Sequence, residues 1–466
     1  MLPCILLFQL VYLKAFILGC ALSIPYILSL LLISRMPTEL FISGKNWMLS
    51  LAELTAYFKT RQTKFQVEFF SGEFFAISFE KTFDEAAIAD LGGTIKIAEV
   101  KAKLPTETVK QAFLQKNKQA QKQITESLAS SGVVEGMAKL PEKVLFGVSV
   151  YCTENSLRPH NTRIQRFVGS AVKTELAETG QKSKFMGFSK DRKQAQLSHV
   201  EVLKKKLVEN QAEVLFCIGR EETWVATTIA VHNPFEFQKR DIYKPNQRTI
   251  FAMPPRLARM MVNLSACSSG KVLLDAFCGV GTILQEALLE GAMVVGTDVN
   301  VWCVKAAEEN LEWVVREYAL GAADFRVVQG EVGRLAEKVG LEAVDCIVSE
   351  PDLGPALRQV PTGPYAQKII TKLEPLYTGF VEQAYRVLRS GGRLVLVTPY
   401  MKTRSGQAVT MPIGDVAERV GFKRVHAFSR DMFSESLSVE RLVAAGSLVE
   451  MDERHKIGRE IHIFQK

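Results

Sequence analysis

The 466-residue sequence lacks the cysteine and histidine patterns that bind zinc or build disulfide frameworks. No two of its eight cysteines form a CxxC pair, and its six histidines form no cluster. Several cysteines stand inside apolar runs, such as Val-Asp-Cys346-Ile-Val, where a free thiol behaves as a small hydrophobic group. We therefore predict no bound metal, no disulfides and a reducing compartment.

A strong overall charge is also missing, since the formal net charge is only +8. The distribution is uneven, because residues 36–250 carry 31 Lys and Arg against 24 Asp and Glu, whereas residues 251–466 carry 25 against 26. A basic region beside a neutral one suits a polyanionic partner, since Lys and Arg gain affinity by releasing counterions from phosphates. The alternative is a lysine-rich surface that is merely solvated.

Charged residues are nearly absent from the first 34 positions, where Lys14 is the only one. The run from Ala15 to Ser34 is long and apolar enough to cross a bilayer, and basic residues from Arg35 onward would keep the following domain cytoplasmic. The other interpretation is upstream sequence translated from a start assigned too early, because Met36 begins like an ordinary soluble domain. We predict a cytoplasmic protein, anchored through residues 15–34 if the segment is genuine.

Regular alternation of strands and helices is limited to the C-terminal part of the chain. From Lys271 the pattern alternates strand and helix, which predicts an α/β fold with a doubly wound parallel sheet. Upstream, strands and helices follow without strict alternation, which predicts an α+β region. The apolar spacing predicts, among other elements, one polar helix over Thr106–Ala129 and another over Lys372–Leu388.

The loop after the first C-terminal strand, residues 275–282, reads Asp-Ala-Phe-Cys-Gly-Val-Gly-Thr. Its two glycines let a ligand approach the backbone closely, because a Cβ would occupy that space. The third glycine of a dinucleotide loop is missing, since Leu284 stands there, and no GK[ST] follows for phosphate binding. Asp298 ends the second strand, where a carboxylate can accept both ribose hydroxyls.

These features predict a cationic, phosphate-free adenosine ligand, S-adenosylmethionine, with a nicotinamide-binding or degenerate fold as the alternative. Glu331 follows the third strand, where an adenine amino group would find its acceptor. A helix entered through prolines at residues 253–264 would pack over the methionine end of the cofactor. The predicted cofactor-binding residues are Asp275, Phe277, Gly279, Gly281, Thr282, Asp298 and Glu331.

The segment after the fourth strand, residues 350–353, reads Glu-Pro-Asp-Leu. Exocyclic-amine methyltransferases have an Asp/Asn-Pro-Pro-aromatic motif at this position. That motif accepts hydrogen bonds from the substrate amino group and aims its lone pair at the methyl group, so catalysis is mainly positioning. We predict the same task for Glu350, Pro351 and Asp352.

An aromatic ring is missing from this segment, because Leu353 stands where the motif has its aromatic residue. Loss of base stacking forfeits about 1–3 kcal/mol unless another ring substitutes. Tyr365 and Trp302 are the candidates for that role. A scaffold that binds cofactor or RNA without turnover is therefore an open alternative.

With these residues, the chain resembles the THUMP-containing tRNA guanosine N2-methyltransferases, the archaeal and eukaryotic type that acts on guanosine 10. The resemblance covers about residues 36–466, and departs from the family's Asp-Pro-Pro-Tyr motif at residues 350–353. It rests on Leu-Gly-Gly-Thr-Ile-Lys-Ile at 91–97, Lys-Arg-Asp leading to proline at 239–245, Pro-Pro-Arg-Leu-Ala-Arg-Met-Met-Val-Asn-Leu at 254–264, the glycine loop at 275–282, and His-Lys-Ile-Gly-Arg-Glu at 455–460.

The resemblance implies a domain order and an RNA partner. It assigns 36–142 to a ferredoxin-like unit, 143–235 to a THUMP-like unit that grips the end of the tRNA acceptor stem, 236–270 to a linker with the cofactor-covering helix, and 271–466 to the methyltransferase domain. The implied RNA contacts are Arg158, Arg163, Arg166, Lys173, Lys182 and Lys184. Ordinary solvated charges on a helix face are the alternative for each of them.

The leading hypothesis is methyl transfer from S-adenosylmethionine to the N2 amino group of guanosine in tRNA. One alternative is an RNA-binding protein whose methyltransferase fold has lost turnover. Another is a DNA amino-methyltransferase, which the basic α+β region disfavours. Both mono- and dimethylation fit the sequence.

Overall fold

The computed structural model describes residues 37–80, 83–187, 195–248, 253–321, 323–452 and 455–466. The apolar segment at residues 1–35, interpreted above as an anchor or an early start, lies outside these ranges. Within them, no helix combines the length and the apolar composition that a membrane crossing requires. The described chain folds around two β-sheets, one in each half of the sequence.

The first sheet is mixed and lies in the N-terminal half. Its strands are β1 (Thr38–Ser43), β2 (Phe65–Phe70), β3 (Phe74–Phe79), β4 (Thr94–Pro105), β5 (Val144–Cys152), β6 (Ser183–Phe185), β7 (Glu213–Ile218) and β8 (Glu222–Val231). Their order across the sheet is β2-β3-β1-β4-β8-β7-β5-β6. β5 pairs in parallel with β6 and β7, and the other neighbours are antiparallel.

Helices of the N-terminal half pack on this sheet through apolar stripes. They are α1 (Trp47–Thr60), α2 (Thr106–Phe113), α3 (Lys118–Ser130), α4 (Glu135–Ala138), α5 (Asn161–Glu178) and α6 (His199–Lys204). In α5, Ile164, Val168, Val172 and Leu176 recur every fourth position and are buried. This spacing puts one face of α5 against the sheet and leaves the opposite face to solvent.

Strand β4 joins the two N-terminal units that the resemblance implied. It pairs with β1 on one side and β8 on the other, so a single sheet continues across the predicted boundary at residue 142. Lys96 of β4 forms a fully buried ion pair with Glu213 of β7. Ser149 and Thr228 also donate to the Glu213 carboxylate, at 2.6 and 2.7 Å. The boundary at residue 142 therefore stays a prediction. The parts of the chain before and after residue 142 share strand ladders and a buried polar network.

The single helix predicted over Thr106–Ala129 is wrong, because two helices, α2 and α3, occupy this stretch. Lys116, between them, has a left-handed φ of 56°, which a continuous α-helix cannot accommodate. Asn117 then caps α3 by accepting hydrogen bonds from the amides of Gln119 and Ala120 at 2.8 and 3.2 Å. The break was concealed because good helix formers flank the cap on both sides.

The second sheet is the doubly wound parallel sheet predicted from the sequence. Its strands are β9 (Val272–Asp275), β10 (Met293–Asp298), β11 (Phe325–Gln329), β12 (Val344–Ser349), β13 (Leu388–Lys402), β14 (Ala408–Thr410), β15 (Lys423–Arg424), β16 (Leu448–Glu450) and β17 (Gly458–Gln465). The main order is β11-β10-β9-β12-β13-β17-β15. The first five strands of this order are parallel, and β17 runs antiparallel between β13 and β15. The predicted α/β fold class is confirmed.

The helices of the C-terminal half alternate with these strands as expected for the fold. They are α7 (Pro234–Ile242), α8 (Pro255–Leu264), α9 (Thr282–Leu289), α10 (Val301–Glu317), α11 (Leu335–Val339), α12 (Gly363–Val387), α13 (Ile413–Val420) and α14 (Glu440–Val443). The helix predicted over Lys372–Leu388 is α12, which begins earlier, at Gly363. Buried Ala366, Ile369 and Ile370 extend its apolar stripe, and Pro375 lies inside the helix without ending it.

Contacts between the Leu-Gly-Gly motif and α8 connect the two halves. The buried carboxylate of Glu53 accepts hydrogen bonds from the amides of Gly92 and Gly93, both at 2.7 Å, and from Asn263 of α8 at 2.9 Å. Arg256 of α8 donates Nε to the Gly92 carbonyl at 2.6 Å. A Cβ on Gly92 would lie 2.1 Å from the Arg256 carbonyl oxygen, so glycine is required for this close approach.

Candidate active site

A pocket opens at the carboxyl ends of β9 and β12, which are neighbours in the second sheet. Ligands of doubly wound folds bind at this edge, where loops diverge from the strand ends. The pocket brings together five of the residues predicted for cofactor and substrate. Its lining consists of Arg248, Met253, Asp275, Phe277, Cys278, Gly279, Val280, Thr282, Ile283 and Glu350.

The glycine loop forms one wall of this pocket, and its two glycines have different tasks. Gly279 has φ of 52°, and a Cβ there would meet Arg248 Nη1 at an ordinary contact distance of 3.7 Å. Gly281 has φ of 83° and caps α9, and a Cβ there would lie 3.2 Å from the Cβ of Ala307. Gly279 therefore leaves room for a ligand, whereas Gly281 lets α9 pack against α10.

Asp275 is buried at the end of β9 and its carboxylate is tied to the neighbouring strand. Its Oδ1 accepts hydrogen bonds from Ser349 Oγ of β12 at 3.0 Å and from the Phe277 amide at 3.1 Å. The pKa of Asp275 is raised to about 7, mainly by burial; these two hydrogen bonds oppose the rise, and the negative charges of Asp298 and Glu350 add to it. Ser349 was not predicted as a site residue, although it directly precedes Glu350 in the sequence.

Asp298 ends β10 and holds the glycine loop in place. Its Oδ2 accepts a hydrogen bond from the Gly279 amide at 3.0 Å, and its Oδ1 accepts one from the Asn300 amide at 2.8 Å. Each oxygen keeps a further lone pair for a ligand hydroxyl. The structure thus links the predicted carboxylate directly to the predicted loop.

Of three further predicted residues, Phe277 and Thr282 line the pocket and Glu331 does not. The Phe277 ring packs edge-to-face on Phe380 of α12, with ring centroids 5.1 Å apart. Thr282 is buried at the first turn of α9. Glu331 is exposed after β11, where it caps a short 3-10 helix over Val332–Arg334, and it is not among the lining residues.

Glu350 follows β12 and is held by an arginine that the sequence did not identify as part of the site. Arg459 of β17 donates Nε to Glu350 Oε2 at 2.5 Å and Nη2 to Oε1 at 3.3 Å. Arg459 also donates Nη1 to Glu450 Oε2 of β16 at 3.3 Å. The Arg459 and Glu350 side chains are 9% and 12% exposed, so the pair is largely shielded from water.

The rest of the Glu-Pro-Asp-Leu segment forms a turn anchored on α12. Pro351 is buried and Asp352 is exposed. The Asp352 carboxylate accepts a hydrogen bond from the Gly354 amide at 2.9 Å, and its carbonyl accepts one from Tyr377 at 3.1 Å. Leu353 is half-buried against the protein core. Asp352 therefore shapes the turn through Gly354 and Tyr377.

The two aromatic residues proposed as stacking substitutes are both exposed. Trp302 lies in the first turn of α10 and is 50% exposed, and Tyr365 lies in the first turn of α12 and is 47% exposed. They follow β10 and β12 respectively, on either side of β9 in the sheet. Both rings are accessible to a partner.

A buried lysine from the linker reaches the start of α9. Lys244 donates Nζ to Thr282 Oγ1 at 3.0 Å. Burial lowers the pKa of Lys244, while the carboxylates of Asp241 and Glu286 oppose that change. The sequence marked Lys244-Pro-Asn only as a linker, and its local composition gives no sign of this contact.

The predicted RNA contacts lie on the N-terminal half. Arg163, Arg166 and Lys173 are exposed on α5, at spacings that place them along one face. Lys182 and Lys184 are exposed on or beside β6, the edge strand of the first sheet. These side chains extend a positive surface across adjacent elements.

Arg158, like Arg163, whose Nη1 lies 3.5 Å from the Phe113 carbonyl oxygen, also contacts the protein. Its Nε donates to the Cys152 carbonyl at 3.0 Å, and its Nη2 lies 3.4 Å from Glu73 Oε1. Its side chain is 53% exposed. Arg158 therefore stabilises the end of β5, and part of its side chain remains exposed to solvent.

The part of the chain that the structure describes contains no group of three or more His, Cys, Asp or Glu side chains placed to hold a metal ion. Six cysteines in that part carry free, buried thiols: Cys152, Cys217, Cys267, Cys278, Cys303 and Cys346.

Comparison with known proteins identifies a domain family over the C-terminal half. Residues 245–420 match the UPF0020 family, described as an RMKL-like methyltransferase domain. This match contains the glycine loop, Asp298 and Glu350 and ends before β17.

Sequence similarity to the curated relatives described next covers between about a third and a half of the chain. A tRNA (guanine(10)-N2)-dimethyltransferase from Methanothermobacter thermautotrophicus is 37% identical over 162 residues, which are 34% of this chain and 42% of that protein. The Pyrococcus abyssi enzyme of the same name is 31% identical over 221 residues, which are 47% of this chain and 57% of that protein. The chain thus spans about half the length of these two relatives.

A eukaryotic protein is also similar: the U6 snRNA (guanine-N(2))-methyltransferase THUMPD2 from Bos taurus is 28% identical over 215 residues, covering 42% of this chain and 39% of that protein. Among solved structures, TrmN from Thermus thermophilus is 17% identical with a TM-score of 0.47, covering 93% of this chain and 100% of that one. The curated relatives confirm the resemblance predicted from the sequence to guanosine N2-methyltransferases.

Proposed function

We propose that this chain, which carries a UPF0020-type methyltransferase domain, transfers a methyl group from S-adenosylmethionine to the N2 amino group of guanosine in tRNA. The observation that carries the proposal is one pocket lined by the glycine loop, Asp275 and Glu350. A cofactor loop and an amine-binding carboxylate must face the same space for methyl transfer to occur. The similarity to tRNA guanine-N2-dimethyltransferases supports the choice of substrate.

The residues of the pocket fit S-adenosylmethionine. Gly279 leaves the space that a Cβ would fill, and Asp298 offers two oxygens to ribose hydroxyls. Asp275 and Glu350 add carboxylates, which suit a cation better than a phosphate. When bound, S-adenosylmethionine supplies an electrophilic methyl group on a sulfonium cation.

Glu350 is the group proposed to receive the substrate amine. Its carboxylate oxygens retain lone pairs beyond those used by Arg459, so they can accept hydrogen bonds from the guanine N–H groups. These bonds would hold the N2 lone pair toward the methyl group. As the bond from nitrogen to the methyl carbon forms, the bond from that carbon to sulfur would break to leave a neutral thioether, and one proton would pass from the nitrogen to water. Positioning of this kind accounts for much of the rate enhancement in such reactions.

The basic N-terminal half supports tRNA as the partner. Arg163, Arg166 and Lys173 are exposed on one helix of a region with an excess of positive charge. Phosphate contacts from such side chains supply affinity without reading sequence. The target nucleotide would then be selected by the shape of the bound tRNA and by the pocket.

The test combines cofactor binding with methyl transfer. Calorimetry should detect S-adenosylmethionine binding, and label from the methyl group should enter bulk tRNA. Digestion to nucleosides should give N2-methylguanosine or its dimethyl form. Lack of cofactor binding by the folded wild-type protein would overturn the enzyme proposal, and label in DNA alone would overturn the RNA substrate.

A second candidate function is an RNA-binding protein that retains cofactor without turnover. Two observations favour it: Asp352 and Leu353 replace the second proline and the aromatic ring, and both Glu350 oxygens already accept hydrogen bonds from Arg459. Binding of both cofactor and tRNA with no methyl incorporation at high enzyme concentration would select this function.

A further inference from the structure

Arg459 occupies a fixed place behind the proposed amine-binding carboxylate. Strand β17 runs between β13 and β16, and Arg459 is paired with Pro399 on one side and Glu450 on the other. Its backbone is therefore held by two strand ladders. Its guanidinium donates two bonds to Glu350 and one to Glu450, all within a largely buried cluster.

Glu350 needs such support for a geometrical reason. The motif of the resembled family has Asp at this position, and Glu is one methylene longer, with one more rotatable bond. A free glutamate would sample several rotamers, and its carboxylate would move by more than the tolerance of a positioning site. A two-point Arg–carboxylate pair fixes both the position and the plane of the carboxylate.

Electrostatics give a second reason. Glu350 and Asp275 line the same pocket, and the Glu350 charge acts unfavourably on ionised Asp275. Arg459 supplies a compensating cation in direct contact with the Glu350 carboxylate. The Glu350 carboxylate is thus paired with an opposite charge in a site that is only partly accessible to water.

We propose that Arg459 is a positioning residue for methyl transfer, which orients the Glu350 carboxylate toward the substrate amine through their paired hydrogen bonds. This inference rests on the proposed function. Arg459 acts through Glu350 and need not touch the cofactor or the base. In this arrangement the long Glu350 side chain and Arg459 together take the place of the shorter acidic residue of the family motif.

The chain offers a matched control at the start of β12, the strand that Glu350 follows. Asp345 at the start of β12 is paired with Arg389, whose Nη1 lies 2.8 Å from Asp345 Oδ2. Arg389→Met therefore removes an arginine–carboxylate pair from the end of β12 that lies away from the pocket. It controls for general loss of charge and of strand support.

The experiment compares Arg459→Met, Arg459→Lys and Arg389→Met in steady-state methyl transfer to tRNA. Arg459→Met should lower kcat about 100-fold, while the KM for tRNA and the calorimetric Kd for S-adenosylmethionine change by less than about threefold. Arg459→Lys should recover part of kcat because it keeps the charge but not the two-point geometry. Arg389→Met should transfer at the wild-type rate.

A double-variant cycle keeps the test valid if Arg459→Met folds poorly. Glu350→Gln/Arg459→Met leaves no unpaired charge at position 350 and exposes only the partly accessible Glu450 to loss of its partner, so it should fold better than Arg459→Met alone. Its kcat should match that of Glu350→Gln, since Arg459 would have no further effect once Glu350 is changed. Losses in kcat that multiply in the double variant would overturn the positioning role.

The outcomes separate this inference from the proposed function. A wild-type protein that binds cofactor but methylates no tRNA overturns both. An active wild-type protein whose Arg459→Met variant keeps its kcat overturns the positioning role alone. The positioning role is also overturned if kcat falls only in proportion to lost cofactor affinity or lost folded protein.

Discussion

The two ends of the candidate active site are held in different ways. At the cofactor end, Asp275 and Asp298 accept hydrogen bonds from the nearby amides of Phe277, Gly279 and Asn300. At the substrate end, Glu350 is held by Arg459, which lies 109 positions later in the chain. The cofactor end is held mainly by amides of its own loops, with one further bond from Ser349 of β12, whereas the substrate end depends on how the last strand enters the sheet.

This difference explains why a sequence motif was enough to predict the cofactor end of the site. Glycine conformations and amide bonds to a strand-end carboxylate constrain residues within one βαβ unit. The substrate end has more freedom, because a distant side chain can compensate for a change of residue. Glu-Pro-Asp-Leu looks degenerate as a motif, whereas the structure shows its carboxylate paired and oriented.

Among the variants that test this comparison, Glu350→Ala should have the largest effect on methyl transfer. Loss of the carboxylate should lower methyl transfer about 100-fold or more, because the amine is no longer positioned. The Kd for S-adenosylmethionine should change little, since the bonds of Asp298 and of the glycine loop remain. Labelled transfer and calorimetry on the same preparation measure both, and normal transfer would refute the assigned role.

A smaller effect is expected at the cofactor end from Gly281→Ala. The left-handed φ of 83° costs an alanine about 1–2 kcal/mol, and its Cβ would press on Ala307 at 3.2 Å. If the loop relieves this strain by moving, affinity for the cofactor should fall about tenfold.

Gly270→Ala is the matched control for that glycine. Gly270 has a similar φ of 79°, but a Cβ there would meet nothing within 4 Å. Both variants should lose thermal stability, and only Gly281→Ala should lose affinity in calorimetry. Equal affinity losses would mean that the close packing on α10 is irrelevant to the pocket.

The basic face of α5 should, like the substrate end of the site, affect the RNA substrate and leave cofactor binding unchanged. Arg166→Ala/Lys173→Ala should weaken tRNA binding about tenfold at low salt and reduce the slope of log K against log salt by about 2. Binding at several salt concentrations measures both quantities, and cofactor affinity should be unchanged. The control is Arg316→Ala/Arg419→Ala, which removes the same charge from exposed positions of the C-terminal half. Equal losses in the two double variants would remove α5 from the RNA surface.

The smallest expected effect is a pH dependence at the cofactor end. The pKa of Asp275 is raised to about 7 by burial, so its carboxyl is mostly neutral at pH 6 and mostly ionised at pH 8. An ionised Asp275 attracts a cation, so S-adenosylmethionine affinity should increase a few-fold over this range. Calorimetry at both pH values tests this, with S-adenosylhomocysteine, which lacks the sulfonium charge, as the ligand control. Asp275→Asn should flatten the difference, and a steeper dependence in that variant would contradict the assignment.

Much of the fold was predictable from local patterns. The alternation of strand and helix predicted from Lys271 onward is the order in which β9 to β13 follow one another, because buried parallel strands need continuous apolar residues. The errors occurred where local composition was uninformative: helix-forming residues flank the break between α2 and α3 at Lys116. The helix predicted for this region ran through Pro375 but began at Lys372, so it missed the first turns of α12, which begins at Gly363.

Two motifs of the family resemblance have structural roles that their residues alone did not indicate. Leu-Gly-Gly at 91–93 supported the resemblance, and in the structure its amides bind Glu53 while Gly92 lies against the Arg256 carbonyl. Arg459 belonged to another motif of that resemblance, and it pairs with Glu350. A motif indicates which residues matter and leaves open which partner each one contacts.

The amino-acid order was sufficient for the α/β class, the glycine loop and the two strand-end carboxylates, because their constraints act within one or two neighbouring elements. The partners of Glu53, Lys244 and Glu350 emerged only from the folded chain. These contacts join residues on separate elements, brought together by sheet order and helix docking. Burial and charge then select a partner for each group, and no local pattern encodes which one it will be.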